Sequence, residues 1–241
     1  MEAIISTYVL IHGAWHGSWC WNKVIPLLEK EGHKVIAPDL PGHGKDKTPI
    51  QDITLQTYAN RICHILDEQS DRVILVGHSM GGIAVTQAAE YSPQKIDKLV
   101  YLSAFLPQNG EFLVMLAKQD PEAVVMPNLI FSDDQSYITI KDEWLKEAFY
   151  GDCSDEDTDW AKSLLVPQAT APFATPVNTT EKNYGSVRRF YISCLKDRAI
   201  TPSAQEKMYK TLPCEKVVEM DTSHSPFLSV PEELVRHLQS M

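Results

Sequence analysis

No stretch of this chain approaches the roughly 18 consecutive apolar residues that a membrane-spanning helix needs. Its start, Met1-Glu2-Ala3-Ile4-Ile5-Ser6-Thr7, lacks the basic stretch that opens a secretory signal, so no signal peptide is expected. Cysteine is sparse and unpatterned: Cys20, Cys63, Cys153, Cys194 and Cys214 include no C-x-x-C spacing. Such residues read as free thiols of a reducing, cytoplasmic compartment, not as a disulfide framework or a metal site. Basic charge is short too, with 22 Lys and Arg against 32 Asp and Glu. That balance argues against nucleic acid or an anionic membrane surface as a partner. No internal repeat or low-complexity tract is present.

What remains is an ordinary globular composition, 44% hydrophobic and 22% charged, in 241 residues. That length suits one sizeable core, and a single domain spanning 1–241 is expected. Apolar runs at 7–12, 34–37, 72–76, 96–103, 188–195 and 215–220 read as strands. Between them, 18–30, 54–67, 83–90 and 203–211 read as helices, and a closing helix starts near 231. In 54–67, Leu55, Tyr58, Ile62, Ile65 and Leu66 recur at helical spacing. Six strands alternating with helices give an α/β fold with a mostly parallel sheet covered on both faces. The alternation fails over about 107–180, which reads as a helical lid insertion above the carboxyl edge of the sheet. Its acidic run at 151–159 reads as a solvated helix start, since it lacks the glycine and terminal glutamate of a calcium loop.

One stretch organises the rest: Gly77-His78-Ser79-Met80-Gly81, placed between a strand and a helix. That context makes G-x-S-x-G a nucleophile elbow, a tight turn whose serine is strained and whose neighbours at 77, 81 and 82 must lack bulk. A serine hydroxyl needs an imidazole to take its proton, and the imidazole needs an acid to fix its tautomer. His224 and Asp197 follow two later strands, so the chain order is Ser79, Asp197, His224. The other histidines lie in helices, in turns or beside the elbow, and His78 is expected to point elsewhere. Asp221 is too close in sequence to His224 to be the usual partner, and Asp39 has a sufficient role in the Pro38-Asp39-Leu40-Pro41-Gly42 turn. Attack on a carbonyl creates an oxyanion, best held by two backbone N–H groups. Met80, after the nucleophile, gives one, and Ala14 in the loop after the first strand is the best candidate for the other. His12 and Gly17 shape that loop, and Trp15, Trp19 and Trp21 read as core or lid packing.

These residues carry a resemblance. The segments 10–19, 38–44, 77–82, 103–107 and 224–227 resemble the α/β-hydrolase superfamily, within it the compact branch of plant methyl-ester esterases, hydroxynitrile lyases and bacterial EstC-like esterases. The resemblance implies the same triad, Ala14 and Met80 as oxyanion donors, and a homodimer as a common state; hydrolysis on such a triad needs no cofactor or metal. It also separates two chemistries. Hydroxynitrile lyases resembling this chain carry Thr or Asn at the position of Gly13, and many carry Lys at that of Ser225. Their absence favours hydrolysis of a small-molecule ester, with lyase, lactone or amide chemistry and a receptor-type role as alternatives. The lid residues Phe131, Trp144, Leu145, Phe149, Leu164 and Leu165 suggest an apolar pocket, with Phe105 and Trp144 taken as substrate contacts.

Overall fold

The computed structural model describes residues 5–241; the sequence start read as free of a signal peptide falls partly on residues 1–4, outside the described residues. The chain begins with β1 (Thr7–Ile11), α1 (Val24–Lys30), β2 (Lys34–Ile36), α2 (Leu55–Asp67), β3 (Val73–His78), α3 (Gly81–Tyr91) and β4 (Ile96–Leu102). Next come α4 (Leu113–Ala117), β5 (Leu129–Phe131), β6 (Tyr137–Ile140), α5 (Leu145–Phe149), α6 (Asp155–Leu164), β7 (Gln168–Ala169) and α7 (Ala171–Ala174). The chain returns to the main sheet with β8 (Arg189–Cys194), α8 (Pro202–Thr211) and β9 (Lys216–Met220), then ends with α9 (Pro226–Ser229) and α10 (Pro231–Gln239).

The main sheet has the order β2-β1-β3-β4-β8-β9, and every pairing in it is parallel. β3 is buried along its whole length, as its unbroken apolar run requires of a central strand. The chain moves outward from β1 to β2 and then crosses to β3 on the other side. That reversal opens a crevice at the carboxyl ends of β1 and β3. Ile11 pairs with Gly77, so the loops after these two strands leave the sheet side by side.

The helix expected over 18–30 is split into a single 3₁₀ turn, Ser18–Trp21, and α1. Pro26 in the first turn of α1 has no N–H to donate back to Asn22, so a continuous helix cannot form. Ser18 is no helix cap; its N–H donates instead to Asp39 Oδ1 at 2.7 Å. The α2 segment starts with a capping box in which Thr54 and Thr57 exchange backbone N–H and side-chain oxygen contacts. The lid is not purely helical. β5, β6 and β7 form an antiparallel sheet of their own, with strands too short to show a period in the sequence. The acidic run does start a helix, α6, capped by the Ser154 side chain on the Asp157 N–H.

Candidate active site

Ser79 has φ +55°, in the left-handed region that a non-glycine residue occupies at a cost of roughly 1–2 kcal/mol. Backbone bonds hold it there. Its N–H donates to Leu102 O (3.3 Å), and its carbonyl accepts from Gly82 N (3.0 Å) and Phe105 N (3.2 Å). The close approach of α3 to the loop after β4 needs glycine at 82, where a Cβ would lie 2.0 Å from the Phe105 carbonyl oxygen. None of these contacts uses the Ser79 hydroxyl, which has no hydrogen-bond partner among the described residues.

Asp197 follows β8, and His224 follows the neighbouring β9. Both are buried, and His224 Nδ1 donates to Asp197 Oδ2 at 2.7 Å. A carboxylate only accepts here, so Nδ1 carries the hydrogen and Nε2 is left bare to receive a proton. Nε2 is buried without a partner among the described residues. No hydrogen bond joins it to Ser79 in this structure; such contacts often tighten only with substrate bound. The imidazole is packed between the His78 ring, 4.5 Å away, and the lid residue Phe149, 5.6 Å away. His78 turns toward the His224 segment, with Nε2–H donating to the His224 carbonyl at 2.9 Å. It thus supports the loop that carries His224.

Two residues that sequence reasoning passed over complete the surroundings of Asp197. Asp197 Oδ1 accepts from the Ala199 and Ile200 N–H groups at 2.7 and 3.0 Å. Asp197 Oδ2 accepts from the Ser103 hydroxyl and from Gln205 Nε2, the latter at 3.2 Å, besides His224. Ser103 lies at the carboxyl end of β4, and that position was a usable signal. Asp221 is exposed and paired with Lys196 at 2.8 Å. Asp39 accepts from the Ser18 and Lys45 N–H groups, a turn-holding role.

The loop after β1 is set by histidines. His12 Nδ1–H donates to the Gly13 carbonyl (2.8 Å), while His12 Nε2 accepts from Leu40 N (3.0 Å). The Gly13 carbonyl and the Ala14 N–H belong to one trans peptide plane, so fixing the first toward His12 turns the second the other way. Among the described residues neither the Ala14 nor the Met80 N–H has a hydrogen-bond partner. His16 Nδ1–H donates to the Ala14 carbonyl (2.8 Å), and Nε2 accepts from the Tyr150 hydroxyl (2.8 Å). Trp15 anchors the loop to the lid through Nε1–H to Ile138 O and through its carbonyl to Val166 N, both at 3.0 Å.

Burial keeps these rings neutral. It pushes His12 down to about 3, with the neighbouring His43 adding to the effect, and His16 down to about 4. Burial also lowers His43 and takes His78 well below the ordinary range. An unfolded chain would begin to protonate all four near about pH 6.5, and burial in the folded chain delays each to lower pH, so unfolding takes up protons. Stability therefore falls as the pH drops from about 6.5 toward 4. Thermal melts at about pH 7 and about pH 5 should show Tm lower by ~10 °C or more at the acid value. Equal values would contradict four neutral buried rings.

Ser79, Ala14, Met80 and Phe105 share the wall of one cavity of about 100 Å³. Its apolar sides come from the lid and from one face of α8, where Ala204, Met208 and Thr211 follow helical spacing. The expectation for Trp144 is corrected: it lies outside this wall, because α5 turns Leu145, Ala148 and Phe149 inward and it is Phe149 that reaches the cavity. Phe131 sits on the outer lid strand, 55% exposed, and Leu164 is also exposed.

The Alpha/beta hydrolase family matches residues 8–237. Methylesterase 9 of Arabidopsis thaliana is 34% identical over 246 residues, covering 96% of this chain and 96% of that protein. The pyrethroid hydrolase of Sphingobium wenxiniae is 34% identical over 239 residues, covering 95% of this chain and 85% of that protein. The crystal structure of polyneuridine aldehyde esterase is similar with a TM-score of 0.88 and 27% identity, covering 98% of this chain and 99% of that one. Three relatives named as chloroplastic are longer, and the chain spans only 55%, 54% and 61% of their lengths. The chain belongs to the alpha/beta hydrolase family.

Proposed function

We propose that this protein is a serine carboxylesterase that hydrolyses small, apolar or aromatic carboxylic esters through an acyl-enzyme on Ser79. The observation that carries the reading is the buried Asp197–His224 pair, at 2.7 Å, beside a left-handed serine that faces a mostly apolar cavity. Ser79 Oγ attacks the ester carbonyl as His224 Nε2 takes its proton. The oxyanion is received by the free N–H groups of Ala14 and Met80. His224 then protonates the leaving alcohol, and water, activated by the same nitrogen, releases the acid. Relatives named as methylesterases and as a pyrethroid hydrolase support ester hydrolysis. Cyanohydrin cleavage has less support. A Cβ on Gly13 would lie 2.8 Å from Ser79 Cβ, and position 225 holds a buried, unpartnered hydroxyl where a lyase would carry Lys. With the reading go the expectations of a cytoplasmic location and a homodimer.

The test combines turnover with labelling. p-Nitrophenyl esters of increasing acyl length should be hydrolysed until the chain outgrows the cavity. A fluorophosphonate should add one equivalent of mass to the peptide that contains Ser79. Folded protein that turns over no ester, or that is labelled elsewhere, would remove the proposal.

A further inference from the structure

We infer that Ser103 is a positioning residue of the acid–base pair, its hydroxyl fixing the Asp197 carboxylate and sharing the oxygen that faces His224. The inference rests on the esterase reading and adds to it a residue outside the three-part pattern. It starts from topology. β4 lies between β3, which leads to Ser79, and β8, which leads to Asp197, so the first residue after β4 falls between nucleophile and acid. That residue is Ser103, and its N–H donates to Ile192 O of β8 at 2.8 Å, which ties its backbone to the strand carrying Asp197.

Ser103 has φ +42°, a conformation that glycine adopts without strain and serine does not. The side chain is fully buried, so it gains nothing from solvent. Its hydroxyl donates to Asp197 Oδ2, and the same Oγ lies 3.4 Å from His224 Nδ1. Two backbone N–H groups on Oδ1 prevent the carboxylate from rotating, and Ser103 with Gln205 sets how much of Oδ2 remains for the imidazole. With five donors on one carboxylate, its acceptor sites are filled.

The consequence has a sign. When His224 takes the Ser79 proton, the imidazolium is stabilised by the charge on Oδ2. A hydroxyl donated to that oxygen draws part of the charge away from His224. Removing it leaves more of that charge to stabilise the imidazolium. It also leaves a void beside Oδ2, so the pair loses its fixed geometry and turnover slows. The other titratable groups facing the pair are His78 and His16 around the ring and Cys194 and Tyr191 beside Asp197. Burial holds both histidines neutral and raises both the thiol and the phenol, so none of them titrates in the window of the acid limb. Asp152, on the lid, is bonded to Ser223 rather than to His224.

The experiment uses the full chain, with Ser103→Ala and Ser103→Gly, on a p-nitrophenyl ester that the wild type hydrolyses. Alanine keeps the Cβ and the left-handed strain, whereas glycine relieves it, so the two differ in Tm but share the lost hydroxyl. Both should move the acid limb of kcat/KM upward by about half a pH unit. Both should lower kcat by about 3- to 10-fold with KM little changed. An acid limb at the wild-type position in both variants, with rate losses that follow Tm, would reduce Ser103 to packing and overturn the inference alone. A wild type without ester turnover would overturn it together with the esterase reading.

Discussion

Replacing Ser79 by alanine should lower kcat for ester hydrolysis by about 10⁶-fold and leave the fold in place. The turn is held by the Ser79 backbone, through Leu102 O, Gly82 N and Phe105 N, and alanine keeps all three contacts. The hydroxyl bonds nothing among the described residues, so its removal leaves no buried group unsatisfied, and Tm should stay within about 2 °C of wild type. On the proposed mechanism the chemistry loses its nucleophile outright. Only the free N–H groups of Ala14 and Met80 and the cavity remain, which in enzymes of this kind leave a residual roughly 10³–10⁴-fold over water. Because ester binding uses those same groups, KM should change far less than kcat. Steady-state kinetics and a thermal melt on one preparation decide the matter. A variant within about tenfold of wild type would show that the attacking group is not Ser79 and would point to direct attack by water.

The parts of the site that share one edge of the sheet were legible because α/β chains place function at strand ends. Ser79 after β3, Asp197 after β8 and His224 after β9 each follow an apolar run, and the structure brings their loops together. Ser103 and Gln205 were not legible in the same way. The Ser103 contact depends on β4 lying beside β8, a non-local fact that no local pattern encodes, whereas Gln205 reaches back to Asp197 from α8. The partner of His78, the backbone carbonyl of His224, is likewise distant in sequence and leaves no trace in the residue letters. The lid was the least readable segment. Leu129 and Ile140 pair across two short strands, and the lid aromatics that reach the cavity are Phe149, at the end of α5, and Phe173, whereas Trp144 lies just before α5 begins.

Asp197→Asn should lower kcat/KM by about 10⁴-fold, a loss out of proportion to the exchange of one oxygen for one nitrogen. An amide has one acceptor end and one donor end, and the site dictates which goes where. The acceptor end must take the Oδ1 position, since the Ala199 and Ile200 N–H groups point at it from 2.7 and 3.0 Å. The NH₂ is then forced into the Oδ2 position. There it meets the Ser103 hydroxyl, Gln205 Nε2 and the Nδ1 of His224. Ser103 can turn its hydroxyl and accept, but His224 answers the new donor only by giving up its Nδ1 hydrogen. The proton moves to Nε2, the nitrogen that must be bare to activate Ser79. The variant thus holds an imidazole of nearly native position in the wrong tautomer. Flipping the amide instead would set its NH₂ against two backbone donors that cannot move, which is worse. Asp197→Ala removes the opposing donor along with the acceptor, so its ring is free to adopt either tautomer. The Asn variant should be no more active than the Ala variant despite its closer shape. Measuring kcat/KM for both, with Tm as a check on folding, tests the donor-against-donor account. An Asn variant that keeps more than about one hundredth of wild-type kcat/KM would mean that Asp197 does not set the His224 tautomer.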